Sequence, residues 1–237
     1  MKKYIFTLLL AVLIAQSYGQ KVLGGLTVSP VLSWMKPTIS ENVEFDKVRM
    51  GINFGILGDF HLSNNFAFST AITINNYGGR VSYSDSIPEF EVSLGTTDSI
   101  YSLPANTNIA YKLQFIEIPI ALKLKTNEIG AMTYFLKFGF NPGFKWRAKG
   151  DADVEGISDK SIQKEVAFLN LGIIASGGFE YSFGGNAKLL TEVNFANGFT
   201  DLTSTKLWDR KSSSVFEKSD KVILSNIALT VGLLFEL

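Results

Sequence analysis

The residues best suited to proton chemistry are Asp59 and His61, the single histidine of the chain. Two positions apart on a β-strand, they point to the same side, and a carboxylate can orient an imidazole as a general base. Both lie just before a short turn, where a hydrogen-bonded pair inside the fold is the favoured interpretation. No other carboxylates are marked by spacing as a hydrolytic pair. We therefore predict no catalytic residues and no enzyme activity.

A candidate metal-binding segment begins at Asp151, where Asp151, Asp153 and Glu155 alternate and Gly156 allows a sharp turn. Position twelve of such a calcium loop would be Ile162, where a bidentate glutamate is needed. A solvated acidic loop is the favoured interpretation, and weak divalent-cation binding is the alternative. The chain has no cysteine, which excludes disulfides, thiolate metal sites and cysteine nucleophiles. We predict no metal site and no cofactor.

Composition limits the partners and the class of fold. The 237 residues carry 22 basic and 22 acidic side chains, and zero net charge argues against nucleic-acid binding by phosphate neutralisation. A hydrophobic content of 46%, with 13% aromatic residues, indicates a packed or membrane-embedded chain.

The N-terminus has the pattern of a secretory signal. Lys2 and Lys3 precede an apolar run at 4–15, and small residues stand at Ser17 and Gly19. The alternative is an N-terminal anchor, but a spanning helix needs about 20 apolar residues. We predict a Sec signal peptide at 1–19 and a single exported domain at 20–237.

Alternation of apolar with polar or small residues dominates the remaining chain and indicates β-strands. In the clearest segment, Tyr134, Leu136, Phe138 and Phe140 occupy one face. This face would form the core of a soluble sandwich, or it would meet lipid in an outer-membrane barrel. Segments with this pattern span residues 22–34, 49–62, 65–77, 109–126, 132–147, 169–183, 188–199 and 221–237.

The connections favour the barrel. Short links at 63–64, 127–130 and 184–186 alternate with long ones at 35–48, 78–108, 148–165 and 200–220. This pattern predicts an all-β fold: an eight-stranded antiparallel up-and-down transmembrane β-barrel with short periplasmic turns and four long extracellular loops. The loop 82–108 contains an alternating piece at 89–94, which predicts an extramembrane hairpin or, alternatively, an extra strand pair.

The strand 109–126 has an apparent change of phase. Ile116 and the even positions after it are apolar, but Lys112 and Gln114 are also even and are polar. We expect a one-residue bulge near Phe115, in an irregular region that includes Pro119.

The face opposite the apolar one carries charges of both signs. Because unpaired charges in a narrow lumen are costly, we predict a salt-bridged network that fills the barrel. The predicted lumen charges are Arg49, Asp59, Glu117, Lys123, Lys137, Lys145, Glu180, Lys188 and Glu192.

The segment from Phe115 to Lys123, Phe-Ile-Glu-Ile-Pro-Ile-Ala-Leu-Lys, resembles the hallmark strand of the PorT-type outer-membrane β-barrel family of Bacteroidetes. Phe115, Glu117, Pro119 and Lys123 carry the resemblance. It implies an eight-stranded barrel in the cell outer membrane. Founding members of that family take part in type IX secretion, so the resemblance also implies an accessory role in a larger outer-membrane complex.

The last segment resembles the β-signal read by the outer-membrane assembly machinery, a polar residue and a glycine followed by alternating hydrophobic residues. Thr230, Gly232, Phe235 and Leu237 occupy these positions. Leu237 stands where the usual terminal aromatic residue would be, and Phe235 is the expected substitute.

Two functional classes follow. In the first, the barrel is a structural or accessory component that contacts outer-membrane lipid, lipopolysaccharide and a larger assembly, with Trp34, Trp146 and Phe199 on its lipid face. In the second, it is a ligand-binding or narrow transport barrel that uses its extracellular loops. Asp85, Glu89, Glu91 and Asp98 disfavour anionic ligands at the second long loop.

Overall fold

The computed structural model describes residues 21–38, 42–93, 98–154, 156–203, 207–209, 214–216 and 221–237. The predicted signal peptide at 1–19 lies outside these segments. Within them, no helix has both the length and the apolar character needed to cross a membrane.

The described chain is almost entirely β-structure. The strands are β1 (Val22–Pro37), β2 (Val43–His61), β3 (Phe66–Tyr83), β4 (Ile87–Ser93), β5 (Asp98–Leu103), β6 (Thr107–Glu117), β7 (Ile120–Lys125), β8 (Met132–Ala152), β9 (Lys160–Ser161), β10 (Leu169–Ser182), β11 (Ala187–Gly198), β12 (Leu207–Asp209), β13 (Ser214–Phe216) and β14 (Val222–Glu236). A single turn of 3₁₀ helix lies at Gln163–Glu165.

Antiparallel pairing closes these strands into a ring of eight. The strands β6 and β7 pair with β3 and β8 in continuous register, so that they form one barrel strand interrupted at Ile118 and Pro119. The ring order is β1, β2, β3, β6/β7, β8, β10, β11 and β14, and β14 pairs back onto β1. The predicted eight-stranded antiparallel barrel is confirmed. Closure leaves no free strand edge in the wall.

The wall has an apolar outer face near the turn end, the end that carries the short links. In β3 the outward residues Phe66, Phe68, Ile72 and Ile74 are exposed, while Ala67 and Ser69 point inward and are buried. From Phe66 to Ile74 the strand spans nine residues, and a tilted strand needs about 9–11 to cross a bilayer. We call this outer band the lipid belt.

Above the lipid belt, at the loop end, the polarity of β3 and β6 reverses. The outward face carries Asn76 and Gln114, whose side chains are hydrogen-bonded at 2.8 Å. Inside, Val81, Ile109 and Tyr111 are fully buried in an apolar cluster. The barrel therefore continues beyond the membrane as a water-facing structure with a hydrophobic core.

This reversal corrects the bulge expected in the strand 109–126. Odd-numbered residues stay inward from Thr107 to Lys123, so the strand keeps its phase through Phe115. Lys112 and Gln114 are polar because they face water above the lipid belt. The register shift at Gln114 and Phe115 leaves the extra residue, Trp146, in the neighbouring strand β8.

The loop end is covered by a folded cap. The strands β4 and β5 form a hairpin outside the ring, so the predicted extramembrane hairpin is confirmed and the extra barrel pair is wrong. The cap comprises this hairpin, β9 and the 3₁₀ turn. Its apolar side chains pack with those of the upper barrel, and they include Ile87, Phe90, Val92, Leu103, Ile157, Ile162 and Val166.

Several strands extend further than the sequence pattern indicated. The first long connection, predicted at 35–48, is confined to 38–42 because β1 and β2 continue into the cap region. In the same way β3 continues to Tyr83 and β8 to Ala152. The sequence pattern misplaces these strand ends because apolar residues point inward above the lipid belt. Within the belt, where the pattern was defined, apolar residues point outward.

Candidate functional site

The lowest layer of the barrel interior, nearest the turn end, is an ion-pair network centred on Lys123. The ammonium lies 2.5 Å from a carboxylate oxygen of Asp59 and 2.5 Å from one of Glu180, and all three side chains are only 1% exposed. The ring of Phe135 lies 4.2 Å from the same ammonium, which adds a cation–π contact. Lys123 is thus held by two opposite charges and an aromatic face.

Further lysines complete this layer. Lys125 and Lys188 each approach Glu180 to 3.6 Å. Lys137 pairs with Glu192 at 2.8 Å. Buried charges are tolerated only when they are paired, and every carboxylate of this layer has a lysine partner. The side chains come from β2, β7, β8, β10 and β11.

Asp59 and His61 do not form the pair considered from the sequence. Asp59 binds Lys123, while His61 lies beside Lys21, the residue before β1, with Nδ1 2.9 Å from the Lys21 carbonyl and Nε2 2.8 Å from Lys125 Nζ. The imidazole therefore has no carboxylate to orient it. The geometry offers no general base at this position.

The middle layer is built around Glu117, the last residue of β6. Its Oε2 accepts hydrogen bonds from Asn75 Nδ2 at 2.6 Å, Asn141 Nδ2 at 2.7 Å and the Tyr77 hydroxyl at 3.0 Å. The residue opposite Glu117 in β8 is Gly143. A side chain there would begin 3.1 Å from Glu117 Cγ, so glycine leaves the room that the carboxylate occupies.

A cavity of about 70 Å³ lies next to Glu117. Its charged lining residues are Glu117, Lys137 and Glu192. The polar lining is otherwise supplied by hydroxyls and carboxamides of several strands, among them Ser29, Asn53, Asn75, Asn141, Asn194, Asn226 and Thr230. We call this cavity and its lining the Glu117 chamber.

The upper layer closes the chamber toward the loops. Tyr77, Leu113 and Phe115 are buried in the apolar cluster that continues into the cap. Tyr83 and Tyr111 also meet there, with their hydroxyls 2.7 Å apart. The interior is thus filled by an ion-pair layer below and an apolar layer above.

Two of the predicted lumen charges lie elsewhere. Arg49 lies at the loop end, where its guanidinium is 3.5 Å from the carbonyl of Tyr111, and the nearby charges are Asp151 and Asp159. Two register shifts in β2, one between Phe45 and Lys47 and one between Val48 and Phe54 that contains Arg49, disturb the alternation from which its position was predicted. Lys145 also lies at the loop end, where its ammonium donates to the carbonyls of Gln163 and Val166 and holds the 3₁₀ turn.

Of the candidate calcium ligands, Asp151 and Asp153 are described, while Glu155 lies outside the described residues. Asp151 lies in β8 and pairs with Lys112 at 2.6 Å, while Asp153 binds Asn108 and Arg80. The carboxylates of Asp151 and Asp153 are therefore directed to neighbouring side chains rather than to one centre. In the described part of the chain, no group of three His, Asp or Glu side chains is arranged to hold a metal.

A family model described as "Outer membrane protein beta-barrel domain" matches residues 14–204. The chain belongs to this family. It is therefore a protein of the outer membrane, as its sequence predicted. In outer-membrane barrels short turns face the periplasm and longer loops face the exterior, which puts the ion-pair layer on the periplasmic side and the cap outside the cell.

Solved outer-membrane proteins have similar structures. Neisserial surface protein A (NspA) is 11% identical, with 90% of this chain and 97% of that chain covered and a TM-score of 0.45. OprG from Pseudomonas aeruginosa is 10% identical, with 92% and 96% covered and a TM-score of 0.48. Ail of Yersinia pestis is 11% identical, with 91% and 99% covered and a TM-score of 0.42. No curated protein matches the sequence.

The motif residues take different positions in this barrel. Glu117 and Lys123 point inward to the middle and lowest layers, and Phe115 belongs to the apolar layer. Pro119 lies in the gap between β6 and β7, where its carbonyl accepts the hydroxyl of Thr70 at 2.8 Å. The motif thus contributes one residue to each interior layer.

The four residues of the predicted assembly signal lie in or just after β14. Thr230 points inward and bonds Ser29 at 2.8 Å, and Gly232 is buried beside Thr27. Phe235 and Leu237 are exposed on the outer side.

Sequence reasoning missed the partners of Glu117. The alternating pattern places Asn75 and Asn141 on the polar, inward face, but nothing in their spacing indicates that they meet at one carboxylate. Tyr77 is the last residue of the predicted strand 65–77, and the sequence pattern assigns no role to it. The signal that would have found them is the strand register, since Asn75 lies opposite Phe115 and Glu117 opposite Thr73.

Proposed function

We propose that this outer-membrane barrel is a non-conducting accessory component of a larger outer-membrane assembly. The observation that carries the proposal is the double closure of its interior. A network of buried ion pairs fills the periplasmic end, and an apolar core continuous with the cap fills the external end. A barrel closed in this way offers its outer wall and its cap, rather than its lumen, for function.

The cap supports a role in contacts. Its hairpin is held to the rest of the cap by specific polar bonds, as Glu165 accepts the backbone N–H of Glu91 at 2.8 Å and Lys164 binds Asp98 at 2.9 Å. Such a folded cap presents a fixed surface, whereas a disordered loop would pay an ordering cost on binding.

The motif from Phe115 to Lys123 supports a finer assignment. We infer that the protein is of the PorT type found in Bacteroidetes and that its assembly is related to type IX secretion. The proposal rests on the resemblance of that strand, whose inward residues build all three interior layers.

Outer-membrane lipid, lipopolysaccharide and the assembly machinery complete the proposed partners. At the upper edge of the lipid belt, beside the exposed Trp146, the basic residues Arg49, Lys112, Arg147 and Lys149 outnumber the two acidic residues Asp151 and Asp159. A net positive edge at this level is suited to the phosphates of lipopolysaccharide. The β14 residues Thr230, Gly232, Phe235 and Leu237 are proposed to be read during assembly.

Native purification tests the accessory role. An affinity tag placed in the connection 38–42 leaves both termini free, and the protein is extracted from its own outer membranes in mild detergent. We expect stoichiometric partner proteins to co-purify, and components of a secretion machine would support the finer assignment. A barrel of its own mass alone would contradict the accessory role and favour the alternative of ligand binding by the cap.

Planar-bilayer recording tests the closed interior separately. We expect the reconstituted protein to show no steady conductance, because both ends of the lumen are filled. Steady ion flow would contradict the proposal and favour narrow transport. The matched control is a porin reconstituted by the same procedure, which must conduct.

A further inference from the structure

Glu117 is a buried carboxylate without a basic partner among the described residues. Its side chain is 3% exposed, and the groups bonded to it are two carboxamides and a phenol, all neutral. The other acidic residue of the chamber, Glu192, is paired with Lys137. The charged lining residues therefore sum to one negative charge, that of Glu117.

The chamber also has oxygen atoms without hydrogen-bond donors. Asn141, 5% exposed, donates its amide to Glu117, and its Oδ1 is buried with no partner. The Oδ1 of Asn194, a residue of β11 that lines the same cavity, is likewise buried with no partner. A buried polar atom left unpaired costs free energy, so these oxygens mark a place where a ligand would be stabilised.

From this arrangement we propose that the Glu117 chamber binds a monovalent alkali-metal cation, sodium or potassium, through the Glu117 carboxylate and the carboxamide oxygens of Asn141 and Asn194. The charge of the ligand follows from the single uncompensated carboxylate. A hard cation fits because the available ligands are all oxygen.

The size of the chamber agrees with a partly hydrated ion. One water needs roughly 10–15 Å³ of such volume, so a cavity of about 70 Å³ holds a cation with several waters. A divalent ion would leave one positive charge uncompensated, and with one free carboxylate the chamber lacks the acidic ligands that such ions usually take.

The proposed ion has a structural consequence. It would neutralise the only unpaired charge of the middle layer and join β6 to β8 and β11 through one centre. This goes beyond the accessory role, because a barrel with any external partner would contain the same interior site.

Thermal unfolding of the full chain in detergent provides the first test. Sodium or potassium is raised while choline chloride keeps the ionic strength constant, since choline is too large for the chamber. A cation that binds only the folded barrel should raise the unfolding temperature by about 3–5 °C for each tenfold increase above its dissociation constant. An unfolding temperature that does not depend on the cation would overturn the proposal.

Two variants locate the effect. Glu117→Gln removes the charge with little change of shape, and Asn141→Lys supplies a covalently attached cation beside Glu117. Both are expected to lose the cation dependence, and Asn141→Lys should keep the stability of the wild type at saturating cation. An unchanged cation dependence in Glu117→Gln would place the ion elsewhere and overturn the proposal.

Crystals of the wild type soaked in thallium(I) provide a test that does not depend on stability. We expect one anomalous peak within coordination distance of Glu117 and Asn141, which is absent in Glu117→Gln. A chamber without thallium, combined with stability that changes with pH alone, would show that Glu117 is neutralised by a proton and would overturn the proposal.

Discussion

At the scale of single residues, Lys123 is the centre of the lowest interior layer. Lys123→Met removes the ammonium that Asp59 and Glu180 share and leaves both carboxylates buried. Breaking a buried ion pair on one side typically costs about 3–5 kcal/mol. We expect a loss of this size in the free energy of unfolding, measured by urea titration in lipid vesicles.

Lys188→Met is the matched control, because this lysine is partly exposed and lies 3.6 Å from Glu180. Exposed pairs contribute about 0–1 kcal/mol, so a small change is expected. A loss as large as that of Lys123→Met would mean that the layer does not depend on its central pair.

Gly143 offers a second residue-scale prediction. In Gly143→Ala the new methyl group would begin 3.1 Å from Glu117 Cγ and 3.2 Å from its Oε1. The carboxylate must move by a few tenths of an ångström, and overpacking of this kind costs about 1–3 kcal/mol. Gly130→Ala is not a suitable control because its φ is +66°, whereas Ala131→Gly at the same turn end changes one methyl group without touching the chamber. A stability of Gly143→Ala equal to that of the wild type would show that Glu117 has free space there.

At the scale of elements, the alternation of residues predicted each barrel strand, because the lipid belt makes every second residue apolar. It could not predict the strand ends. Above the belt the same strands place Val81, Ile109 and Tyr111 inside and Lys112 outside, so the sign of the pattern changes without a change of structure. The misplaced bulge at Phe115 has this cause. Arg49 was misplaced because register shifts in β2 carry no sequence signal.

The position of the belt can be tested with lysine substitutions on the outer wall. Phe138 is exposed in the part of β8 that lies in the middle of the lipid belt. A lysine on the lipid face costs about 2–4 kcal/mol near the midplane of the membrane. Phe138→Lys should impair assembly, measured as the folded fraction in outer membranes. Gln114→Lys lies on the same wall above the belt and should assemble normally. Equal tolerance of the two would contradict the assigned membrane boundary.

The cap is an element with its own core, and Phe90 is one of its fully buried side chains. Phe90→Ala should remove about 3–5 kcal/mol of packing and loosen the hairpin while the barrel stays assembled. Limited proteolysis should then cut within residues 84–106 of the variant but spare the wild type. Ile100→Ala is the control, because Ile100 is exposed on the same hairpin. Equal cleavage of both variants would mean that Phe90 does not hold the cap.

At the scale of the whole molecule, exposed ion pairs stabilise the cap, and their contribution to its stability depends on pH. Hydrogen bonds from Ser93 and Lys164 hold the pKa of Asp98 below its usual value, and Lys149 and Lys112 do the same for the pKa of Asp159. A carboxylate with a lowered pKa stabilises the fold above its unfolded pKa, and this contribution is lost as pH falls through the folded value. The protection factors of cap amides, which are the ratios of the intrinsic to the observed exchange rate at each pH, should therefore be lower at about pH 3 than at pH 7.

The variant Asp98→Asn with Asp159→Asn separates this effect from general acid damage. At pH 7 the protection factors of its cap should be close to those of the wild-type cap at pH 3, with a smaller further decrease on acidification. Because these groups are exposed, the effect should be modest. Equal protection factors of the wild-type cap at both pH values would contradict the role of these pairs.

The final prediction concerns the whole barrel, because the ion-pair layer closes one end of the interior and the apolar core closes the other. Replacement of residues 87–103 by a short glycine-serine linker removes β4 and β5, and with them Ile87, Phe90, Val92 and Leu103 from the upper core. The lowest layer is built from barrel strands alone and does not contact this hairpin through any of its ion pairs. We therefore expect the shortened protein to assemble and to remain without conductance in planar bilayers. When Lys123→Met is added to the deletion, we still expect no conductance, since methionine has nearly the same volume as lysine. When Lys123→Ala is added instead, that volume is lost and brief openings should appear. Steady conductance after the hairpin deletion alone would show that the cap, and not the ion-pair layer, keeps the lumen closed.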